Sequence, residues 1–282
     1  MSEETNRPVP LTFDAHRIAR NLLIFCATAI ILFVILDYQI NYSRWTEIGA
    51  LRRMFNTARE DGLASWFGIT QTLLAALTLW LIHLAVKHRP GTRWKALGWL
   101  ILALFFTYLA VDDGAQIHER LGSTFKAIQR DRGVSLDFFP SYTWQLLFVP
   151  VFAALVLFTL VFLWRELRTR NARLVLLLAI SCWGAALVLD FFEGLDPRHP
   201  WNLYGFLAGH FQLDAWTYEQ FGRSAYKALR HFSKSFEEAL EMLGMSLLWF
   251  LFIRHLAVAA ANLQVRFLPG RARAAADEPR LA

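Results

Sequence analysis

Six stretches of this chain are apolar for about the twenty-odd residues that an α-helix needs to cross roughly 30 Å of hydrocarbon at 1.5 Å rise per residue. They run from about Asn21 to Tyr42, Ser65 to Val86, Trp94 to about Glu119, Tyr142 to Arg165, Arg173 to Glu193, and about Phe236 to Val258. Backbone groups in lipid have no water to bond, so the helix is the form expected for each. The expected fold is an all-α, polytopic bundle of six transmembrane helices. Of the 282 residues 56% are hydrophobic and 18% charged, where a soluble domain carries nearer a quarter charged. This composition excludes a disordered or collagen-like chain, and two cysteines exclude a disulfide scaffold. Cys26 and Cys182 fall inside apolar blocks and read as packing residues.

The loops set an expected orientation. The second-to-third connection holds Lys87, Arg89, Arg93 and Lys95 without an acid, and the fourth-to-fifth holds Arg165, Arg168, Arg170 and Arg173. Arg7, Arg17 and Arg20 precede the first block; Arg266, Arg271 and Arg273 follow the last. An even span count puts all of these on one side, so the positive-inside rule predicts cytoplasmic N- and C-termini in a bacterial inner membrane. The expected organisation is a cytoplasmic segment over 1–20, a transmembrane domain over 21–260 and a disordered cytoplasmic tail over 261–282. The first block lacks a small-residue cleavage site and is expected to persist as helix one. The formal charge of +6 is scattered among loops with no stripe, which points to anionic lipid rather than nucleic acid as the partner. An outer loop over 195–235 is rich in aromatics, among them Trp201, Phe206, Phe211, Trp216 and Tyr218. That suits either a segment lying against headgroups or a loop packed on the helix ends.

Acids gather at the span ends. Helix three closes with Asp112-Asp113-Gly114-Ala115-Gln116-Ile117-His118-Glu119, helix five with Asp190-Phe191-Phe192-Glu193, and helix six opens with Glu237-Glu238-Ala239-Leu240-Glu241. In the expected orientation all three motifs reach the outer leaflet, joined by Asp37 of helix one, Gln71 of helix two and Gln145 of helix four. At 100° per residue Asp112, Gln116 and Glu119 form one stripe, and Asp190 shares a face with Glu193. His118 points away from that stripe unless the helix deforms at Gly114. Two like charges 4 Å apart repel by about 4 kcal/mol at an effective dielectric near 20. Eight carboxylates with only Arg120 adjacent therefore must bind metal, hold protons, recruit Lys227, Arg230 or Lys234, or sit in water.

A carboxylate-rich set with one imidazole suits a divalent Mg, Ca, Mn or Fe ion. The candidate ligands are Asp112, Asp113, His118, Glu119, Asp190, Glu193, Glu238 and Glu241, with His118 and Asp113 as candidate catalytic groups. His83, His199, His210 and His231 rank lower, and Gly114, Gly184, Gly194 and Gly244 are expected to permit close helix approach. No phosphate loop, nucleophile elbow, His-Glu-x-x-His pair or lysine within a span is present.

At these motifs the chain resembles a bacterial family of uncharacterised multi-pass membrane proteins. The pattern is Asp-[Asp/Glu]-x4-His-Glu, here Asp112, Asp113, His118 and Glu119, followed by Glu-Glu-x2-Glu-Met-Leu-Gly from Glu237 to Gly244. Ser65-Trp66-Phe67 extends the likeness, which implies no activity. A looser likeness is to alkaline ceramidases and adiponectin-receptor-like membrane hydrolases, which also gather Asp and His at one leaflet. Their late His-x-x-x-His pair is absent here. Three functions fit these residues: a metal-dependent intramembrane enzyme acting on a lipid or hydrophobic substrate, a proton or cation transporter or channel, and an assembly or sensor subunit. Membrane lipid is the expected partner, with a membrane protein or a second copy as further candidates.

Overall fold

The computed structural model describes residues 14–43, 45–132 and 139–261. Arg7, the basic residues of the tail and nearly all of the expected 261–282 segment lie outside them. Among the described residues there is no strand. Ten helices follow in order: α1 Ala15–Asp37, α2 Gly49–Met54, α3 Leu63–Lys87, α4 Arg93–Ala115, α5 Ile117–Asp131, α6 Thr143–Glu166, α7 Arg170–Glu193, α8 Leu203–His210, α9 Asp214–Phe221 and α10 Ala225–Ala259. Six of them (α1, α3, α4, α6, α7 and α10) are long and apolar enough to cross a membrane. The all-helical, six-span expectation therefore holds.

Two boundaries beside the acidic motifs differ from the hydropathy reading. The third span stops at Ala115, where Gln116 adopts φ 55°, and α5 starts a new axis. The last helix begins eleven residues earlier than Phe236, at Ala225 after the Ser224 cap, so Lys227 and Lys234 belong to it. The rest of the expected outer loop holds α8 and α9; in or beside them Trp201, Phe206, Phe211, Trp216 and Tyr218 stay exposed.

The core forms where small side chains let helices approach. Ala75, Ala76, Leu79 and Ile82 of α3 pack with Trp99, Leu102, Ala103 and Phe106 of α4. The short link between them turns at Gly91 (φ 72°), and Thr92 Oγ1 donates to the carbonyls of Val86 and Arg89. Helix α10 lies against α7 at Gly244, where an added Cβ would sit 2.7 Å from Trp183 Cδ1 and 3.0 Å from the Ala179 carbonyl. Gly194 is as tightly placed against Ser141 and Tyr142, whereas Gly184 has no atom within 4 Å and Gly114 meets Ile69 only at 3.9 Å. So two of the four expected contact glycines do that work. Polar bonds also tie α10 to α3: Gln71 Nε2 donates to Ser246 Oγ (2.6 Å), and Trp249 Nε1 to Thr78 Oγ1 (3.0 Å). The outward faces of α1, α6 and α7 are apolar and exposed, as lipid contact requires, for example at Ile24, Phe25, Ile31, Val151, Leu157 and Leu178.

Candidate functional site

Helix α4 ends because Gln116 takes up a left-handed conformation, which costs a non-glycine residue of order 1 kcal/mol. That break brings His118 back to the residue it would face away from in a straight helix. Asp112 Oδ1 accepts the His118 backbone N–H at 2.9 Å, and Asp112 Oδ2 bonds His118 Nδ1 at 2.7 Å. One carboxylate thus caps α5 and orients an imidazole. The helix does deform, two residues beyond Gly114. The Gln116 side chain contributes too, its Nε2 donating to Glu60 in the loop before α3. The edge of Trp144, 4.6 Å between ring centres, packs against the imidazole.

The Asp112–His118 pair stands in the wall of a cavity of about 270 Å³ between α3, α4, α6, α7 and α10. Asp113, Glu119, Asp190, Glu238 and Glu241 line the same cavity, as do Glu60 and Glu237. Residues from three spans, α5 and one loop therefore meet. At the other end the walls are apolar: Phe105, Phe152, Val156, Trp183 and Met245. Phe105 lies seven residues before Asp112, about 10 Å deeper along α4. Glu193 is not in this cavity; it lies in an adjoining pocket with Arg230, 3.2 Å away.

The charges divide into two sectors. In the first, Lys234 Nζ lies 2.7 Å from Glu237, 3.6 Å from Glu238, 3.9 Å from Glu193 and 4.0 Å from Asp190. Gln145 Nε2 donates to Asp190 Oδ2 at 2.7 Å, while Glu237 Oε2 stays buried without a hydrogen-bond donor. Asp190, Glu193 and Glu237 each present an oxygen within 4.8 Å of the others, a spacing that fits a metal ion. Lys234 already supplies the positive charge there. In the second sector Asp113 and Glu241 face the cavity without a salt bridge among the described residues, beside Glu60 and Glu119. Burial pushes the Glu60 carboxyl up to about 7, aided by the charge of Glu119 and the hydrogen bond between the two acids. Burial opposes the His118 imidazolium, but the Asp112 hydrogen bond and charge outweigh it, and Glu119 and Asp113 add to them. The His118 pKa is raised above 6.5.

Sequence reasoning passed over Glu60 and gave Lys234 no specific role. The signal for Lys234 was its i, i+3 and i, i+4 spacing to Glu237 and Glu238, masked by starting the helix at Phe236. Asp37 does not join the cavity. It is buried among Asn41, Thr57, Ser235 and His231, the last at 2.8 Å. Arg120 donates to Gln116 at 3.5 Å and makes no salt bridge among the described residues. His83 is buried at the α3–α4 seam, its Nδ1 2.8 Å from the Ala96 carbonyl. His199 and His210 pack on outer-loop aromatics.

Compared with known families, residues 22–256 match the model described as Domain of unknown function (DUF8692). The chain belongs to that family. The match runs from the first span to the last and takes in every acid of the cavity. No curated protein and no solved structure matches the chain.

Proposed function

We propose that this protein is an intramembrane enzyme acting on a lipid or other hydrophobic substrate at the outer-leaflet end of the bundle. The observation that carries the reading is a His–Asp pair set in a cavity that is acidic at one end and apolar at the other. An amphiphile fits that division, with its polar group among the carboxylates and its chain toward Phe105 and Met245. Asp112 occupies Nδ1 of His118 and leaves Nε2 for proton transfer. The raised pKa favours the protonated imidazole, and Nε2 is the atom that would give or take the proton.

A divalent cation of the Mg, Ca, Mn or Fe type belongs to this proposal. Lys234 and Arg230 offset part of the charge of Asp190, Glu193, Glu237 and Glu238, so the demand for positive charge falls most on Asp113, Glu119 and Glu241. The ion would polarise a substrate oxygen or acidify water there. The transport reading meets an apolar plug toward the other face: Leu79, Ile82, Leu102, Phe106, Leu248 and Phe252 are all fully buried in the core. The exposed aromatics of α8 and α9 suit a seat at the headgroup level or a membrane partner. A bacterial inner membrane with both termini cytoplasmic remains the proposed setting.

The test is incubation of the full chain in nanodiscs containing a total bacterial lipid extract, with each cation in turn, followed by lipid mass spectrometry. The wild type should deplete one lipid class with one cation. His118→Gln should slow that depletion by about 10²–10⁴-fold. Identical lipid profiles for wild type, His118→Gln and protein-free discs under every cation would overturn the enzymatic reading, and cation flux in proteoliposomes would then favour transport.

A further inference from the structure

A second pocket, of about 350 Å³, opens beside the acidic cavity and has the opposite charge. Arg223, Lys227, Arg230 and Lys234 line it, with Glu193 as the one carboxylate among its lining residues. Lys227, Arg230 and Lys234 share one face of the first turns of α10, and Arg223 joins them from the turn just before the Ser224 cap. Arg230 and Lys234 spend charge on Glu193 and its neighbours. Arg223 and Lys227 make no salt bridge among the described residues.

A solvated basic face would need no built wall, and this pocket has one. The first span ends in a wide π-turn, Tyr38–Tyr42, of the kind that often marks a functional position. It seats Tyr42 in the pocket wall, 1% exposed, with its hydroxyl lacking a hydrogen-bond partner. The Arg223 guanidinium lies over the Tyr42 ring, 4.9 Å from its centre. Its positive charge stands next to the hydroxyl. His231 is fixed by Asp37 and packs against Tyr42 with the rings tilted by 41°, 4.7 Å between ring centres. A buried hydroxyl without a hydrogen-bond partner beside two cations free of any salt bridge among the described residues suits a ligand with several acceptor oxygens.

We infer that this pocket binds a phosphate group, held by Arg223 and Lys227 with the Tyr42 hydroxyl as a further donor. Phosphate supplies the negative charge and the spread of acceptors that an arginine fork and a lysine together recognise. The group comes either from an anionic lipid headgroup or from a free phosphate. The inference does not depend on the catalytic reading, because Arg223, Lys227 and Tyr42 do not line the acidic cavity.

The experiment uses the full chain in phosphate-free neutral detergent at fixed ionic strength, with the thermal unfolding midpoint as readout. The probes are inorganic phosphate, dihexanoyl phosphatidate and phosphate-free dihexanoylglycerol. A saturable rise with phosphatidate is expected. A matching rise with inorganic phosphate identifies a free phosphate as sufficient, and its absence identifies the lipid headgroup. Arg223→Gln with Lys227→Gln should weaken apparent affinity by about tenfold or more. Tyr42→Phe leaves the ligand-free fold intact and should weaken it less. Arg254→Gln, at the far end of α10, should bind as the wild type does. Three results would each overturn the inference: no saturable rise with either phosphate probe, an equal rise with dihexanoylglycerol, or wild-type affinity in Tyr42→Phe together with the double variant. Equal weakening by Arg254→Gln would do the same, by exposing a general charge effect.

Discussion

Lys234→Met tests the electrostatic account of the acidic cavity most directly. Methionine keeps the length and the helix propensity of the side chain and deletes only the charge. At 2.7 Å the Lys234–Glu237 attraction is about 6 kcal/mol at an effective dielectric near 20. Desolvation of the ammonium takes part of that back, and breaking a buried ion pair by deleting one member typically costs about 3–5 kcal/mol. For a chain of this size that is roughly a 6–20 °C fall in unfolding midpoint, at about 2–4 °C per kcal/mol. The assay is the unfolding midpoint in detergent at neutral pH, run beside Lys234→Met/Glu237→Gln. The double variant should recover a large part of the loss, because neutral glutamine no longer needs a counter-charge. Calcium should also stabilise Lys234→Met more than the wild type, since the Asp190, Glu193 and Glu237 oxygens stand within 4.8 Å of one another and would now lack the ammonium. A midpoint within a degree or two of the wild type, or a double variant no better than the single one, would refute the claim that Lys234 holds these acids together.

Three further outcomes are expected. Burial pushes the Glu60 carboxyl up to about 7 in the folded state from its ordinary 4.5, so the folded form holds more protons between those values and stability falls as pH rises from 4.5 to 7. Glu60→Gln should flatten that slope in midpoint-versus-pH curves, and an unchanged slope would place the proton elsewhere. For His118 the slope has the same sign: its raised pKa stabilises the fold below 6.5, and that contribution is lost as pH climbs through the folded value. Asp112→Asn should lower the His118 pKa in an NMR titration of labelled histidine; a value that stays put would deny Asp112 its orienting role. Gly244→Ala drives a methyl into Trp183 and the Ala179 carbonyl and should cost about 1–3 kcal/mol, whereas Gly184→Ala meets nothing within 4 Å and should leave the midpoint unchanged.

How much of this was legible beforehand varies with the range of the interaction. That the Asp112, Asp190 and Glu238–Glu241 motifs meet at one level followed from span length and direction alone, because a helix rises by a fixed amount per residue. That His118 turns back onto Asp112 required a left-handed residue at Gln116, a position where nothing in the local sequence demands one. The reach of Lys234 to four carboxylates was hidden by a boundary error, since hydropathy places a helix end where polarity rises, and α10 continues through polar residues. Glu60 is separated from Glu119 by two helices, and no short-range pattern links them.

The sequence by itself determined six membrane-crossing helices, since long apolar runs leave the backbone no alternative to bonding with itself in lipid. Packing alone decided which charges neighbour which. Small residues such as Gly244 and Ala179 set how closely α10 approaches α7. That approach gathers acids around one ammonium, and Lys227, Arg230 and Lys234 of the same helix line one pocket with Tyr42. Such partnerships depend on distances of a few ångströms between segments far apart along the chain, which residue order does not encode locally.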